Sequence, residues 1–292
     1  MAGRSRVRGK LSLETLGRAG DYGALAHYAD PTYYAKAYAG RRHDVEYYVR
    51  LARASGGPVL EYGVGEGRVA LPVLRAGIPV VGVDLSRPML DRFEQQLQRE
   101  PREVRRRARL VRGDMCSVRL RRCFSLVIAP FNTILHVYTR AELEQFLSRV
   151  RAHLAPGGRL VFDFYVPHAS TLSCDPQRRY GAPRLRHPTT GQLVKYAERF
   201  EYDPVRQLLL VWMEFSPVGG EDPWVVPLTH RQYFPQEMAS LLHFGGFTDQ
   251  IWVGDFGSGP PTPSTDWLVV SCAPASAAPR HGASRRGTRG SI

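Results

Sequence analysis

One short stretch of the chain, VLEYGVGEGR, combines residue types that suit the binding of a small ligand. An acid, Glu61, is followed at alternate positions by Gly63, Gly65 and Gly67. Glycines in a turn after a strand let the backbone approach a bound molecule closely. The chain has no G-x-x-x-x-G-K-[ST] pattern, which excludes a P-loop, and a nicotinamide-binding turn would place its third glycine where Arg68 stands. Because an acid repels phosphate, the stretch favours a ligand that carries an ammonium group.

Two further acids follow apolar runs. Asp84 ends PVVGVD, and Asp114 ends ARLVRGD. A carboxylate can accept hydrogen bonds from both hydroxyls of a vicinal diol, or from an exocyclic amine. A capping or turn role would explain Asp84 or Asp114 alone, but both together with Glu61 indicate a binding site.

Alternating strands and helices are predicted around these residues. After an aromatic-rich helical region over 22–54, the predicted order is strand 58–63, helix 68–77, strand 79–84, helix 87–100, strand 108–114, strand 124–131, helix 140–158 and strand 159–166. Asp30 and Pro31 mark a helix start inside the first region. Strands separated by helices of this length predict an α/β fold with a parallel, doubly wound sheet.

The pattern changes after residue 166. A loop-rich segment over 167–190 is followed by three strand-like runs, at 193–202, 206–215 and 223–234. Val194, Tyr196, Phe200 and Tyr202 share one face of the first run by two-residue alternation. The runs predict an antiparallel β insertion, after which a helix over 235–246 and two final strands complete the domain.

Charge and composition limit the classes of function. The net charge is +13 over 292 residues, and residues 1–20 and 276–292 each contribute +4. These tails are rich in Gly, Ser, Ala and Arg and are predicted to be disordered, leaving residues 21–275 as the folded domain. No run of about 18 apolar residues and no secretory signal is visible. The four cysteines are scattered, which favours reduced thiols in the cytoplasm and neither a disulfide framework nor a zinc site.

These motifs resemble those of class I S-adenosylmethionine-dependent methyltransferases over about residues 21–275. The resemblance implies a Rossmann-like, doubly wound, seven-stranded sheet whose last strand is antiparallel, with S-adenosyl-L-methionine as cofactor. It implies that Asp84 holds the ribose hydroxyls and that Asp114 and Met115 meet the adenine. The full set of predicted cofactor-binding residues is Tyr33, Glu61, Gly63, Gly65, Gly67, Arg68, Asp84, Leu85, Met89, Asp114, Met115 and Ala129.

The end of the fourth predicted strand bears on the methyl acceptor. It reads Ala129-Pro130-Phe131-Asn132, which lacks the [D/N/S]-P-P-[Y/F] of adenine methyltransferases, a Pro-Cys nucleophile and the acids of a catechol-type metal site. We therefore expect no metal, and nucleic acid contacted at most by the tails. The insertion, about residues 167–234, resembles the acceptor-covering sheet of glycine and aminosugar N-methyltransferases. The resemblance implies a small-molecule acceptor, with nitrogen slightly preferred over oxygen.

His136, His230 and Tyr233 are the candidate catalytic residues. His136 follows the fourth strand and has a side chain that titrates near neutral pH, while His230 and Tyr233 end the insertion. No base is required if an amine acceptor arrives neutral. Two other functions stay open: a non-catalytic protein of the same fold that binds RNA through basic tails, and an NAD-dependent oxidoreductase, which Glu61 and Arg68 disfavour.

Overall fold

The structure is a computed structural model that describes residues 25–181 and 183–275. Its helices are α1 (Pro31–Ala37), α2 (His43–Ser55), α3 (Ala70–Arg75), α4 (Arg87–Gln98), α5 (Arg102–Arg106), α6 (Arg140–His153), α7 (Ala169–Leu172) and α8 (Pro235–Phe244). Its strands are β1 (Val59–Tyr62), β2 (Val80–Asp84), β3 (Ala108–Arg112), β4 (Phe124–Ala129), β5 (Leu154–Tyr165), β6 (Tyr180–Gly181), β7 (Leu185–Arg186), β8 (Leu193–Asp203), β9 (Leu208–Pro217), β10 (Trp224–Arg231), β11 (Phe247–Gly254) and β12 (Trp267–Pro274). The tails predicted to be disordered, 1–20 and 276–292, lie outside the described residues.

Seven strands form one sheet in the order β11-β12-β5-β4-β1-β2-β3. The strands from β3 to β5 are parallel, and β12 lies antiparallel between β5 and β11. Helices cover both faces of the sheet. The predicted Rossmann-like, doubly wound, seven-stranded sheet with an antiparallel last strand is therefore confirmed.

The core consists of one apolar cluster on each face of this sheet. Phe146 of α6 and Met238 of α8 are fully buried on one face, and Tyr48 of α2 and Phe93 of α4 are fully buried on the other. Because strands β1, β2 and β4 are covered on both sides, they read in the sequence as nearly continuous apolar runs. The glycine turn, which follows β1, is thus carried by a central and well-packed strand.

The second sheet is antiparallel and contains β10-β9-β8-β6, with β7 also paired to β8. The predicted β insertion is confirmed. Helix α1 packs against it, because the Tyr33 ring meets Phe215 edge to face and stacks on His187. The short elements α7, β6 and β7 lie where the sequence indicated only a loop.

Two predicted helices are shorter than expected. The helix predicted over 140–158 begins at a capping box of Thr139 and Glu142 but ends at His153. Beyond it the chain is already in β5, since Leu154 pairs with Phe124. The aromatic-rich region that begins at residue 22 is divided into α1 and α2, with non-helical backbone around Gly40. Asp30 caps α1 as predicted, accepting a hydrogen bond from Tyr33 N at 2.9 Å.

None of the helices described is long and apolar enough to span a bilayer.

Candidate active site

The glycine turn needs glycine for both conformation and space. Gly63 has φ +65° and Gly67 has φ +87°, values that side chains with a Cβ rarely adopt. A Cβ on Gly67 would lie 2.3 Å from a ring carbon of Phe93, and one on Gly63 would lie 2.5 Å from Thr133 Oγ1. The turn is therefore packed tightly between α4 and the loop that follows β4.

Glu61, in β1 just before this turn, is buried and has an oxygen without a hydrogen-bond partner. Its side chain is 2% exposed, and its Oε2 has no hydrogen-bond partner among the described residues. Burial raises the pKa of Glu61 well above its usual range, and nearby Arg68 offsets this only partly. Leaving a buried acceptor unpaired is costly. An ammonium group beside Glu61 would satisfy it, so the residue fits the amino-acid end of S-adenosylmethionine.

Asp84 fastens the turn to the next strand. Its two carboxylate oxygens accept hydrogen bonds from Gly65 N at 2.7 Å and Ser86 N at 2.8 Å. Burial raises the pKa of Asp84, while these backbone donors lower it. Each carboxylate oxygen has a second lone pair, so Asp84 is positioned to receive a diol as well. Leu85 beside it is 46% exposed, which leaves an apolar surface for a ring.

Two histidines lie together on the side of β4 and β10. The rings of His136 and His230 are 5.0 Å apart. His136 Nε2 is 2.8 Å from the Tyr28 hydroxyl and its Nδ1 is 3.4 Å from the Tyr138 hydroxyl. Burial lowers the pKa of His136 to about 4 and that of His230 well below its usual value. Both imidazoles are therefore neutral at neutral pH.

The hydrogen bonds assign the tautomer of His136. Tyr138 donates its only hydroxyl proton to the Thr229 carbonyl at 3.1 Å, so its oxygen accepts from His136 Nδ1. His136 Nε2 then accepts from Tyr28, whose backbone carbonyl also accepts from Ser86 Oγ at 3.3 Å. Tyr28 thus connects the end of β2, where Asp84 lies, to the histidine pair.

A cavity of about 370 Å³ opens beside the histidines, between α1, the end of β5 and the second sheet. Its walls are mostly aromatic and apolar. Among the lining residues with polar groups are Tyr33, Tyr38, Tyr165, Tyr196, Glu198 and His230. Nothing in the sequence alone joined these six, because they come from three separate parts of the chain.

Comparisons with known proteins agree with this geometry. Residues 59–158 match the family described as Methyltransferase domain. The Cypemycin N-terminal methyltransferase of Streptomyces sp is 33% identical over 112 residues, which are 38% of this chain and 43% of that protein. The dTDP-3-amino-3,4,6-trideoxy-alpha-D-glucopyranose N,N-dimethyltransferase of Streptomyces venezuelae is 28% identical over 150 residues, which are 50% of this chain and 60% of that protein. The chain spans about half the length of the curated relatives it matches.

A solved structure extends the similarity to most of the chain. The CcbJ methyltransferase from Streptomyces caelestis has a TM-score of 0.67 and 25% identity, with coverage of 82% of this chain and 92% of that one. The matched region holds the glycine turn, Asp84 and the parallel strands β1 to β4. This chain carries a class I methyltransferase domain. S-adenosylmethionine is the cofactor of that domain.

Four of the residues predicted to contact the cofactor have side chains that are engaged or covered within the protein, and their contacts with the cofactor stay predictions. Arg68 donates to both oxygens of buried Asp44, at 2.9 and 2.5 Å, so it ties the glycine turn to α2 and is already paired. Ala129 is fully buried in the core and Met89 is 1% exposed beneath the turn, so neither side chain offers a surface to a ligand. Tyr33 faces the second sheet and lines the cavity.

At the end of β3, Asp114 is exposed and closes a turn. Asp114 accepts hydrogen bonds from Cys116 N at 2.8 Å and from Ser117 Oγ at 3.3 Å. It therefore has the turn role that the sequence offered as the alternative to ligand binding. Met115 is partly buried against the core of the methyltransferase domain. Both lie at the carboxyl end of β3, which neighbours the end of β2, and the ring-binding role expected of them remains a proposal.

The three candidate catalytic residues differ in position. His136 and His230 are brought together, whereas Tyr233 is 2% exposed and donates its hydroxyl to the Val137 carbonyl at 2.6 Å. Tyr233 thus ties the end of the insertion to the loop after β4, and a catalytic role for it stays a prediction. His136 was expected to titrate near neutral pH, but its pKa of about 4 places it outside that range.

Sequence reasoning missed Tyr28 as a partner of His136, and it missed Glu198. The alternation in β8 offered a signal for Glu198, because the residue falls on the face that carries Tyr196 and Phe200. The described residues contain no group of three or more His, Cys, Asp or Glu side chains placed to hold a metal ion.

Proposed function

We propose that this protein transfers a methyl group from S-adenosylmethionine to a nitrogen of a small-molecule acceptor. The proposal that the protein binds S-adenosylmethionine rests on the buried, unpaired Glu61 oxygen beside a glycine turn that is hydrogen-bonded to Asp84. The acceptor half rests on the cavity beside His230, which is enclosed by the second sheet and α1.

The nitrogen preference is supported by the relatives. One is an N-terminal methyltransferase and another an N,N-dimethyltransferase of a 3-amino sugar nucleotide. The site chemistry agrees with an amine, because a neutral amine nucleophile needs a positioned hydrogen-bond acceptor more than a strong base. His230, which lines the cavity and whose pKa burial lowers well below its usual value, is a neutral polar group at the place proposed for such an amine.

Bound S-adenosylmethionine supplies a methyl carbon on a positively charged sulfur. The amine lone pair forms the new N–C bond, the S–C pair returns to sulfur, and one N–H proton leaves for solvent. The protein aligns the two molecules and excludes water, which is the main source of rate in such a displacement. Since burial lowers the pKa of His136 to about 4, His136 does not collect the proton at neutral pH.

We also propose that residues 21–275 act as one methyltransferase unit, with the segment 167–234 covering the acceptor. Helix α1 supports this assignment, because Tyr33 and Tyr38 complete the cavity that the insertion opens.

The test begins with calorimetric titration of the full chain with S-adenosylmethionine and S-adenosylhomocysteine. Asp84→Ala is the matched variant, since it removes the diol acceptor and the bond to Gly65. Micromolar binding that Asp84→Ala abolishes supports the cofactor assignment, and an acceptor screen that follows a labelled methyl group comes next. Tight binding of NAD without binding of S-adenosylmethionine would overturn the proposal.

A further inference from the structure

The acceptor cavity contains an acid where the sheet pattern reserves apolar residues. Alternate residues of β8, β9 and β10 face the cavity, and on β9 and β10 these include Leu209, Val211, Met213 and Leu228. Glu198 lies among them on β8, directly opposite Met213 in the antiparallel register. A carboxylate in an apolar wall loses hydration and needs a compensating partner.

The structure provides only part of that compensation. The Tyr196 hydroxyl donates to Glu198 Oε1 at 2.5 Å. Among the described residues Glu198 forms no ion pair, although basic side chains are close along the same sheet. Arg179 and Arg199 both pair instead with Glu214, which belongs to the other face of β9 by alternation.

The rest of the cavity has the character of a site for cations. Among the described lining residues Glu198 is the sole acid, and there is no lysine or arginine. Aromatic rings of Tyr33, Tyr38 and Tyr196 surround the space, and the faces of such rings attract ammonium groups. The one lining side chain able to carry positive charge at the rim, His168, already lies 3.2 Å from Asp266.

We propose that Glu198 and the tyrosines around it form a recognition site for an ammonium group of the acceptor, and that the acceptor carries no phosphate. This inference rests on the proposed function and narrows its acceptor to a phosphate-free molecule that carries an ammonium group apart from the neutral nitrogen that is methylated. It separates this protein from the relative that acts on a dTDP-linked sugar, because a diphosphate would meet a carboxylate and no basic partner in this cavity. Glu198 is a specificity-determining residue here and takes no part in bond making.

Three probes that share a benzyl group and differ in charge test the site: benzylamine, benzyl alcohol and benzyl phosphate. Their dissociation constants are measured by ligand-observed NMR on the full chain, both free and saturated with S-adenosylhomocysteine. We expect benzylamine to bind about tenfold more tightly than benzyl alcohol, the scale of one charge-assisted contact, and benzyl phosphate not to bind.

The variant is Glu198→Gln, which keeps the shape and the bond to Tyr196 but removes the charge. Its matched control is Glu201→Gln, an acid of the same strand on the opposite face by alternation. Glu198→Gln should erase the preference for the amine, and Glu201→Gln should keep it, with circular dichroism and melting temperature showing both variants folded.

Benzyl phosphate binding as tightly as benzylamine, or an amine preference that survives in folded Glu198→Gln, would overturn the inference. These results are independent of the cofactor. Binding of S-adenosylhomocysteine without any amine preference refutes the ammonium site alone, whereas an amine preference without any S-adenosylhomocysteine binding refutes the proposed function and leaves the ammonium site standing.

Discussion

Replacing Glu61 by glutamine should move stability and cofactor affinity in opposite directions. Glu61 is 2% exposed, and its Oε2 lacks a partner among the described residues. An unsatisfied buried polar group costs about 1–3 kcal/mol, and more when it is charged. The glutamine variant keeps the shape but cannot ionise, so folding costs it neither a buried charge nor the uptake of a proton above the ordinary glutamate pKa. We expect it to raise the melting temperature of the cofactor-free protein by roughly 2–10 °C.

The same change should weaken S-adenosylmethionine binding. A hydrogen bond to a charged group contributes about 1.5–3 kcal/mol, which corresponds to roughly a 10- to 150-fold larger dissociation constant. Burial raises the pKa of Glu61, so the folded protein holds a proton there that the unfolded chain releases above its ordinary pKa. The wild type should therefore lose stability as the pH rises from the ordinary pKa of a glutamate toward the raised pKa of Glu61, and Glu61→Gln should lose less stability over the same range.

Differential scanning fluorimetry and calorimetric titration measure the two effects. Glu66→Gln is the matched control, because Glu66 belongs to the same turn but its Oε2 lies 3.3 Å from Gln96 Nε2 and 3.6 Å from Arg92 Nε. The control should lower the melting temperature and leave cofactor affinity unchanged. A lower melting temperature for Glu61→Gln together with wild-type affinity would refute the assignment of Glu61 to an ammonium group.

Three further predictions concern stability. Burial lowers the pKa of His27 from 6.5 to about 4. The neutral side chain therefore contributes about 3 kcal/mol to the free energy of unfolding above pH 6.5, and this contribution is lost as the pH falls toward 4. In urea unfolding, the stability of His27→Gln should fall less than that of the wild type between these two pH values. Tyr233→Phe should cost about 1–3 kcal/mol by leaving a buried carbonyl unpaired, with S-adenosylmethionine affinity unchanged in calorimetry. Gly67→Ala should destabilise by more than about 2 kcal/mol because its Cβ meets Phe93, whereas Gly77→Ala, also at positive φ but in open space, should cost only about 1–2 kcal/mol in chemical denaturation.

The cofactor half of the fold was readable from the sequence because its signals are local. The central strands β1, β2 and β4 are nearly contiguous apolar runs, and the glycine turn directly follows β1. The antiparallel last strand, β12, was expected from family resemblance. Pattern alone could not place the end of α6, because Leu154 already pairs with Phe124 of β4, a contact that depends on tertiary structure.

The proposed acceptor cavity and the histidine pair beside it were harder to predict, because the residues that form them are far apart in the chain. Tyr28 and His136 are 108 residues apart in the chain, and Tyr33 reaches Phe215 of β9. The neutral state of His136 follows from burial, which no sequence pattern reports. The position of Arg68 in the glycine motif indicated a contact with the cofactor. In the structure its side chain pairs with the carboxylate of Asp44 from α2, which the sequence pattern did not indicate.

The division of the cavity walls between α1 and the second sheet has a consequence for how such an enzyme can be re-engineered or diverge. The wall residues Tyr33, Ala37 and Tyr38 precede the cofactor motifs in the chain, and those of β8 to β10 follow β5. A chimera that exchanges only the segment 167–234 would pack a foreign insertion against the original α1, because Tyr33 of α1 stacks on His187 inside that segment. Transplanting acceptor preference therefore requires the exchange of two segments, one before β1 and one after β5, while strands β1 to β5 between them can stay the same.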